Sequence, residues 1–154
     1  MMLKQINKHN IKVKETTMKP DTIVKQIQGA TLEATFPLAG KFSYIIDEPV
    51  EDGGNGKGPC PVELLYAALA SCKAEVTQAY LEKIQVPADK IEIAVEADTA
   101  DLAQGPLKIK VEAKIHAELS DEQKKRLEAA VSRGCTVAKI LERVNEIDTD
   151  FIYG

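Results

Sequence analysis

Three cysteines, Cys60, Cys72 and Cys135, are the residues of this chain best able to do chemistry. A thiolate is both nucleophile and redox centre, so what matters for each is the surroundings of its sulfur. No CxxC pair occurs, and neither His9 nor His116 stands at ligand spacing from a cysteine, so no metal site is expected. Cys135 follows Gly134 at an expected helix start. Free N–H groups and the helix dipole favour a thiolate there, and Arg133 adds positive charge nearby. Cys72 falls in mid-helix among apolar neighbours, where burial raises a thiol pKa. On local chemistry alone Cys135 is the better nucleophile. The alternative for either residue is a small buried hydrophobe.

Residues 48–61 hold Gly53, Gly54, Gly56 and Gly58, four of the nine glycines, with Lys57 among them. A phosphate cradle needs Lys followed by Ser or Thr and a helix directly behind. Lys57 is followed by Gly58 and Pro59, so a connector is the expected role. At 5% aromatic residues and no Trp, the chain has little surface for stacking a nucleotide ring, and no cofactor is expected.

The elements that must position the cysteines are legible in the apolar spacing. Period-2 alternation marks strands over Ile11–Glu15, Thr22–Gln28, Ala30–Phe36 and Lys41–Asp47, which short connectors join into an antiparallel meander. Pro61 opens a long helix to about Gln85, and Pro87 stops it. Leu65, Leu69, Cys72, Val76 and Tyr80 form its inward stripe, with Lys73, Glu75, Gln78 and Glu82 off it. Strands over Lys90–Asp98 and Leu107–Leu119 make a hairpin. Ser120 and Gln123 form a capping box that starts a helix to about Val131, with Leu127, Ala130 and Val131 inward. Gly134 breaks that helix. A short helix then begins near Cys135, with Val137, Ile140, Leu141 and Val144 at helical spacing. Glu146–Tyr153 suits a last strand. Runs of strands and helices segregated in this order indicate an α+β fold.

The 154 residues are one domain's worth, 44% hydrophobic and 29% charged. A net charge of -4 argues against nucleic acid as a partner. No apolar run reaches the ~20 residues that span a bilayer, so no membrane is expected. Met1–Asn10 is polar, unlike a signal peptide, which points to a cytoplasmic address.

Asp47-Glu48-Pro49, Gly53-Gly54, Gly58-Pro59-Cys60-Pro61-Val62-Glu63-Leu64-Leu65 and Ala67-Ala68-Leu69-Ala70-Ser71-Cys72 follow one another in order. Gly134-Cys135-Thr136-Val137-Ala138 comes about sixty residues later. This series resembles the OsmC/Ohr superfamily signature, in its general OsmC-like branch, and the order of elements matches that family along most of the chain. The resemblance implies a single OsmC-like domain over residues 1–154, with 1–20 a variable N-terminal extension. It implies antiparallel sheets wrapped around long central helices in an intertwined homodimer.

It also implies a thiol-dependent peroxidase of oxidative-stress defence, reducing organic or hydrogen peroxides, with peroxiredoxin-like activity. In that scheme Cys72 attacks the peroxide and becomes a sulfenic acid, Cys135 condenses with it to a disulfide, and an external dithiol reductant resets the pair. Glu63 is the third catalytic residue so implied. The family's peroxidases place their glutamate ten residues before the attacking cysteine. Val62 holds that position here, with Glu63 one step nearer, about 13–14 Å from Cys72 along a straight helix. No arginine precedes Arg126 to hold the thiolate as the family's N-terminal arginine does, which leaves Lys19, Lys25 or Lys41 as point-charge substitutes. Cys60 occupies a loop slot where a small polar residue would serve. The alternative functions on the same fold are a non-catalytic protein holding a small hydrophobic ligand and a redox sensor that forms the disulfide without turnover.

Overall fold

The structure is a computed structural model and describes residues 21–36, 42–97 and 105–154. The expected strand at Ile11–Glu15 lies outside the described residues, as does part of the hairpin connection after Ala97.

The first sheet is the expected meander, β1 (Ile23–Gln28), β2 (Thr31–Phe36) and β3 (Phe42–Ile46), in the order β1-β2-β3 and antiparallel throughout. After a 3-10 turn at Val50–Asp52, α1 runs unbroken from Pro61 to Lys83. The second sheet holds β4 (Lys90–Ala97), β5 (Lys108–His116) and β6 (Glu146–Tyr153), in the order β4-β5-β6. β4 and β5 are antiparallel in the register Val95↔Val111. β6 pairs parallel to β5, which departs from the all-antiparallel expectation. A parallel neighbour needs a crossover connection, and α2 (Asp121–Gly134) with α3 (Thr136–Leu141) supplies it.

The helix ends show why the elements stop where they do. The Ser120 side chain caps α2 by accepting from the Gln123 N–H, and Gln123 returns the bond to the Ser120 N–H, as its sequence predicts. The end of α1 is different. Pro87 is not its stop. Gln85 adopts a left-handed φ of 58°, its N–H donates to the Glu82 carbonyl, and the Val86 N–H donates to the Leu81 carbonyl. This pair of bonds is a Schellman motif, with Gln where glycine is the usual residue. Gly134 is the last residue of α2 rather than a break before it. Its small size serves close packing, since a Cβ there would stand 2.8 Å from Val76 Cγ1 of α1.

The core lies between the second sheet and the helices. Ile109, Val111, Ala113 and Ile115 of β5 are buried; Ile109 and Val111 pack with Leu69 of α1, and Ile115 with Leu81 of α1 and Leu127 and Val131 of α2. The inward row of α1 is rotated from its expected line. Leu69, Lys73, Thr77 and Leu81 are the buried residues, Cys72, Val76 and Tyr80 flank them, and Leu65 stays 42% exposed. Lys73 therefore goes inside, against expectation, because a long aliphatic stem buries well on an apolar surface. In the short third helix Val137 and Leu141 pack inward, whereas Ile140 is exposed. Val144, beyond the end of that helix, is exposed as well.

Candidate functional site

Two cysteines distant in sequence meet over β5. Cys72 lies on the flank of α1's buried row, and Cys135 stands at the junction where α2 ends and α3 begins. Both belong to the apolar cluster of Leu69, Leu107, Ile109, Val111 and Ala138. Cys72 packs against the cluster that holds Cys135, the two thiols influence each other, and they carry no disulfide. Cys72 is half-buried, and Cys135 is wholly shielded at 0% exposure.

The helix start at Cys135 does what local chemistry predicts, since the Ala138 N–H donates to its Sγ at 3.3 Å. The net result is nevertheless the reverse of the expected one. Burial pushes the Cys135 thiol above the ordinary range. The Ala138 N–H pulls it back, the neighbouring Cys72 thiol pushes it up again, and the Lys73 ammonium pulls it down. Cys135 is thus harder to ionise than an ordinary thiol, which removes the reason to expect it to be the readier nucleophile. Burial removes the solvent that the dipole argument takes for granted. Cys72 is the more accessible of the two.

Glu63 does not join the pair within one chain. Its Oε2 accepts from the Cys60 N–H at 2.8 Å, closing a capping box at the start of α1. The unbroken helix then separates it from Cys72 by about nine residues' rise, ~13–14 Å. Its place in the structure is a helix cap near the dipole's positive end. Cys60 is the N-cap residue of the same helix, twelve positions from Cys72. Of the lysines considered as substitutes for the arginine, Lys25 is exposed on β1, and Lys19 and Lys41 lie outside the described residues.

The glycine-rich loop is an internal clasp rather than a phosphate cradle. Asp47, 1% exposed at the end of β3, accepts from the Thr31 hydroxyl at 3.0 Å and from the N–H groups of Glu48, Asn55 and Lys57. The Asn55 amide donates to Thr31 Oγ1 at 3.1 Å. The amides that would hold a phosphate already hold this carboxylate. Burial pushes the Asp47 carboxyl up, but its hydrogen bonds with Asn55, Thr31, Lys57 and Glu48 bring it below the ordinary value. Gly54 and Gly58 permit the folding-back, because a Cβ at either would overlap the backbone of Glu48 or Ile45. The clasp delivers the chain to Pro61 and so aims α1.

A family model described as OsmC-like protein matches residues 54–150, well over half of the chain and including both Cys72 and Cys135. The chain belongs to the OsmC-like family. No protein of curated function is detectably similar in sequence. Among solved structures, this OsmC-like chain is similar to an OsmC-like protein from Mycoplasma pneumoniae, at 19% identity over 88% of this chain and 99% of that one, with a TM-score of 0.70. It is similar to an organic hydroperoxide resistance protein OsmC from Legionella pneumophila, at 17% identity over 88% and 98%, TM-score 0.63. It is also similar to the organic hydroperoxide resistance protein OhrB of Bacillus subtilis, at 20% identity over 86% and 97%, TM-score 0.56. These likenesses establish the OsmC/Ohr fold for the chain.

Sequence reading missed Lys73 and Thr149, which approach each other beside the thiols of the OsmC-like site. One signal was available. Ile147, Thr149, Phe151 and Tyr153 form the inward row of β6, and Thr149 is the single break in its apolar run. Among the described residues no group of three His, Cys, Asp or Glu side chains is placed to hold a metal. No described helix is long and apolar enough to cross a membrane.

Proposed function

We propose that this OsmC-like chain is a two-cysteine peroxidase that reduces organic or hydrogen peroxides, with Cys72 attacking and Cys135 resolving. One observation carries the reading, the contact of two unbridged thiols of unequal exposure. The half-buried sulfur is the one a peroxide reaches. The shielded sulfur waits behind it and resists ionising until there is an electrophile to attack. That similar proteins of this fold are named for organic hydroperoxide resistance supports a peroxide as the oxidant.

The cycle balances as follows. The Cys72 thiolate takes one oxygen from the peroxide, whose O–O bond breaks, and the alkoxide or hydroxide leaves with a proton as alcohol or water. Cys135 sulfur then attacks the sulfenic sulfur. The S–S bond forms, the S–O bond breaks, and hydroxide leaves with the Cys135 proton as water. An external dithiol is oxidised in turn and restores both thiols. Glu63 in this reading sets the first turn of α1, and Cys60 lies outside the cycle. Free cysteines suit a reducing compartment, so the cytoplasm is the proposed address. The functional unit is proposed to be a homodimer, with no nucleic acid and no membrane partner.

Peroxide consumption in the presence of a dithiol tests this. Wild type is expected to turn over many equivalents, and Cys72→Ser none above background. Equal rates for the two would overturn the reading. One disulfide formed per chain without cycling would make the protein a redox sensor instead.

A further inference from the structure

Among the described residues only two charged side chains are buried, Asp47 and Lys73. Asp47 is satisfied by its clasp. Lys73, 2% exposed, directs its Nζ to Thr149 Oγ1 at 3.1 Å, and no described carboxylate lies within ion-pair distance of it. An ammonium has three donors, and one neutral hydroxyl is poor compensation for its lost water. The sequence makes room for it twice, with an aliphatic stem in the row of Leu69 and Thr77 and with Thr149 in an otherwise apolar row opposite Val111.

The charged groups on the surrounding elements are exposed or, for Lys114 on β5 and Lys124 and Glu128 on α2, half-buried. Among the exposed ones are Glu75 on α1, Glu96 on β4, Lys110 and Glu112 on β5, Arg133 on α2, Lys139 on α3, and Asp148 and Asp150 on β6. The wholly buried thiol of Cys135 is an ionisable group within electrostatic reach of the Lys73 ammonium, and the partly buried Cys72 is its immediate neighbour along α1. Opposite charges withdrawn from water attract far more strongly than exposed ones.

We propose that Lys73 is the positioning cation of the dithiol, anchored by Thr149 so that its charge stabilises a thiolate on Cys135. The Lys73 charge favours the ionised form of that sulfur, a smaller effect than the burial that opposes it. In the cycle this matters at resolution, when Cys135 gives up its proton and attacks oxidised Cys72. The role in the cycle rests on the two-cysteine reading; the electrostatic effect does not.

The test is a titration of thiolate ultraviolet absorbance in a Cys60→Ser, Cys72→Ser background, where Cys135 is the one thiol left. A matching Cys135→Ser protein subtracts the tyrosines. Lys73→Met is expected to move the midpoint up by about one pH unit, and Lys73→Arg to bring most of that shift back. Lys73→Gln keeps a hydrogen bond to Thr149 without the charge and is expected to follow Lys73→Met, so a poorly folding methionine variant leaves the question decidable. An unmoved midpoint in the neutral variants overturns the proposal, as does an arginine variant no better than they are. In the three-cysteine protein, one equivalent of peroxide should yield disulfide about tenfold more slowly in Lys73→Gln at neutral pH, with recovery at alkaline pH. A moved midpoint together with absent peroxide turnover in wild type upholds Lys73 as the thiol's cation and overturns the peroxidase cycle alone.

Discussion

Cys135 begins a helix, accepts a backbone hydrogen bond, and still ionises less readily than an exposed thiol. The helix terminus offers partial charge, whereas burial removes the whole hydration of a thiolate, and the second effect wins here. That ordering has a consequence for stability. The folded pKa is raised, so on alkaline titration the unfolded thiol ionises first. The stability linked to this proton is complete below the unfolded value and is lost as pH climbs through the folded one. Melting temperatures of wild type and Cys135→Ala, followed upward through the thiol range, should therefore converge. Near neutral pH the alanine variant should be the less stable by about 1 kcal/mol, a usual figure for trimming one buried side chain. A gap that stays constant with pH would contradict the assignment. In peroxide the same variant should stop at a Cys72 sulfenic acid, visible by mass as one added oxygen.

At the scale of elements, α1 carries Cys72 and packs on β4, α2 and α3, and its two ends are controlled differently. Asp47 fixes the approach to its start. The carboxyl is held below its ordinary value, so the stability it supplies is present above the unfolded carboxylate value and is lost as pH falls through the folded one. Asp47→Asn should accordingly cost most at neutral pH and progressively less in acid, as read from urea midpoints at several pH values. The far end turns on Gln85, a non-glycine residue in the left-handed region. Gln85→Gly should raise stability by up to about 1 kcal/mol, and a loss of stability there would refute strain at that turn.

These two ends also mark what the sequence disclosed. Pro61 and the glycine run made the start of α1 legible, and the Ser120 capping box did the same for α2. The Schellman turn was hidden because Gln carries no signal for a left-handed conformation, and Pro87 drew the eye four residues downstream of the last helical residue. The inward row of α1 was misplaced because a hydrophobicity ranking puts Leu65 inside and Lys73 outside. The tertiary packing needs a long stem at 73 and leaves 65 open within one chain. The pairing of Cys72 with Cys135 was legible only through the family signature, since nothing local joins two residues so far apart. The raised pKa of Cys135 depends on burial, which spacing does not encode.

For the whole molecule, the open question of packing lies in the first sheet and the start of α1. The described strands β1, β2 and β3 pack appreciably only on one another. Phe42 is 69% exposed, Ile27 57% and Val24 51%, and Val62 and Leu65 on the first two turns of α1 are 41% and 42% exposed. Single exposed hydrophobes are ordinary, but a three-stranded sheet and a helix end that are both open and apolar are what a covering partner would use. The proposed homodimer accounts for both at once, since a second copy laid along α1 would cover Leu65 in each chain with the same surface, as a two-fold interface requires. Leu65→Asp places two desolvated carboxylates in such an interface, a cost of several kcal/mol per dimer. Within one chain the side chain is half in water, so the monomer's own fold should tolerate the change. Light scattering is expected to give twice the chain mass for wild type and a shift towards the single-chain mass for Leu65→Asp, with circular dichroism reporting retained helix. Wild type at the single-chain mass over the working concentration range would overturn the dimer. If dissociation also slows peroxide turnover while Lys73 variants leave the mass unchanged, the thiol pair's cation and its dimeric shelter are separate supports of the same chemistry.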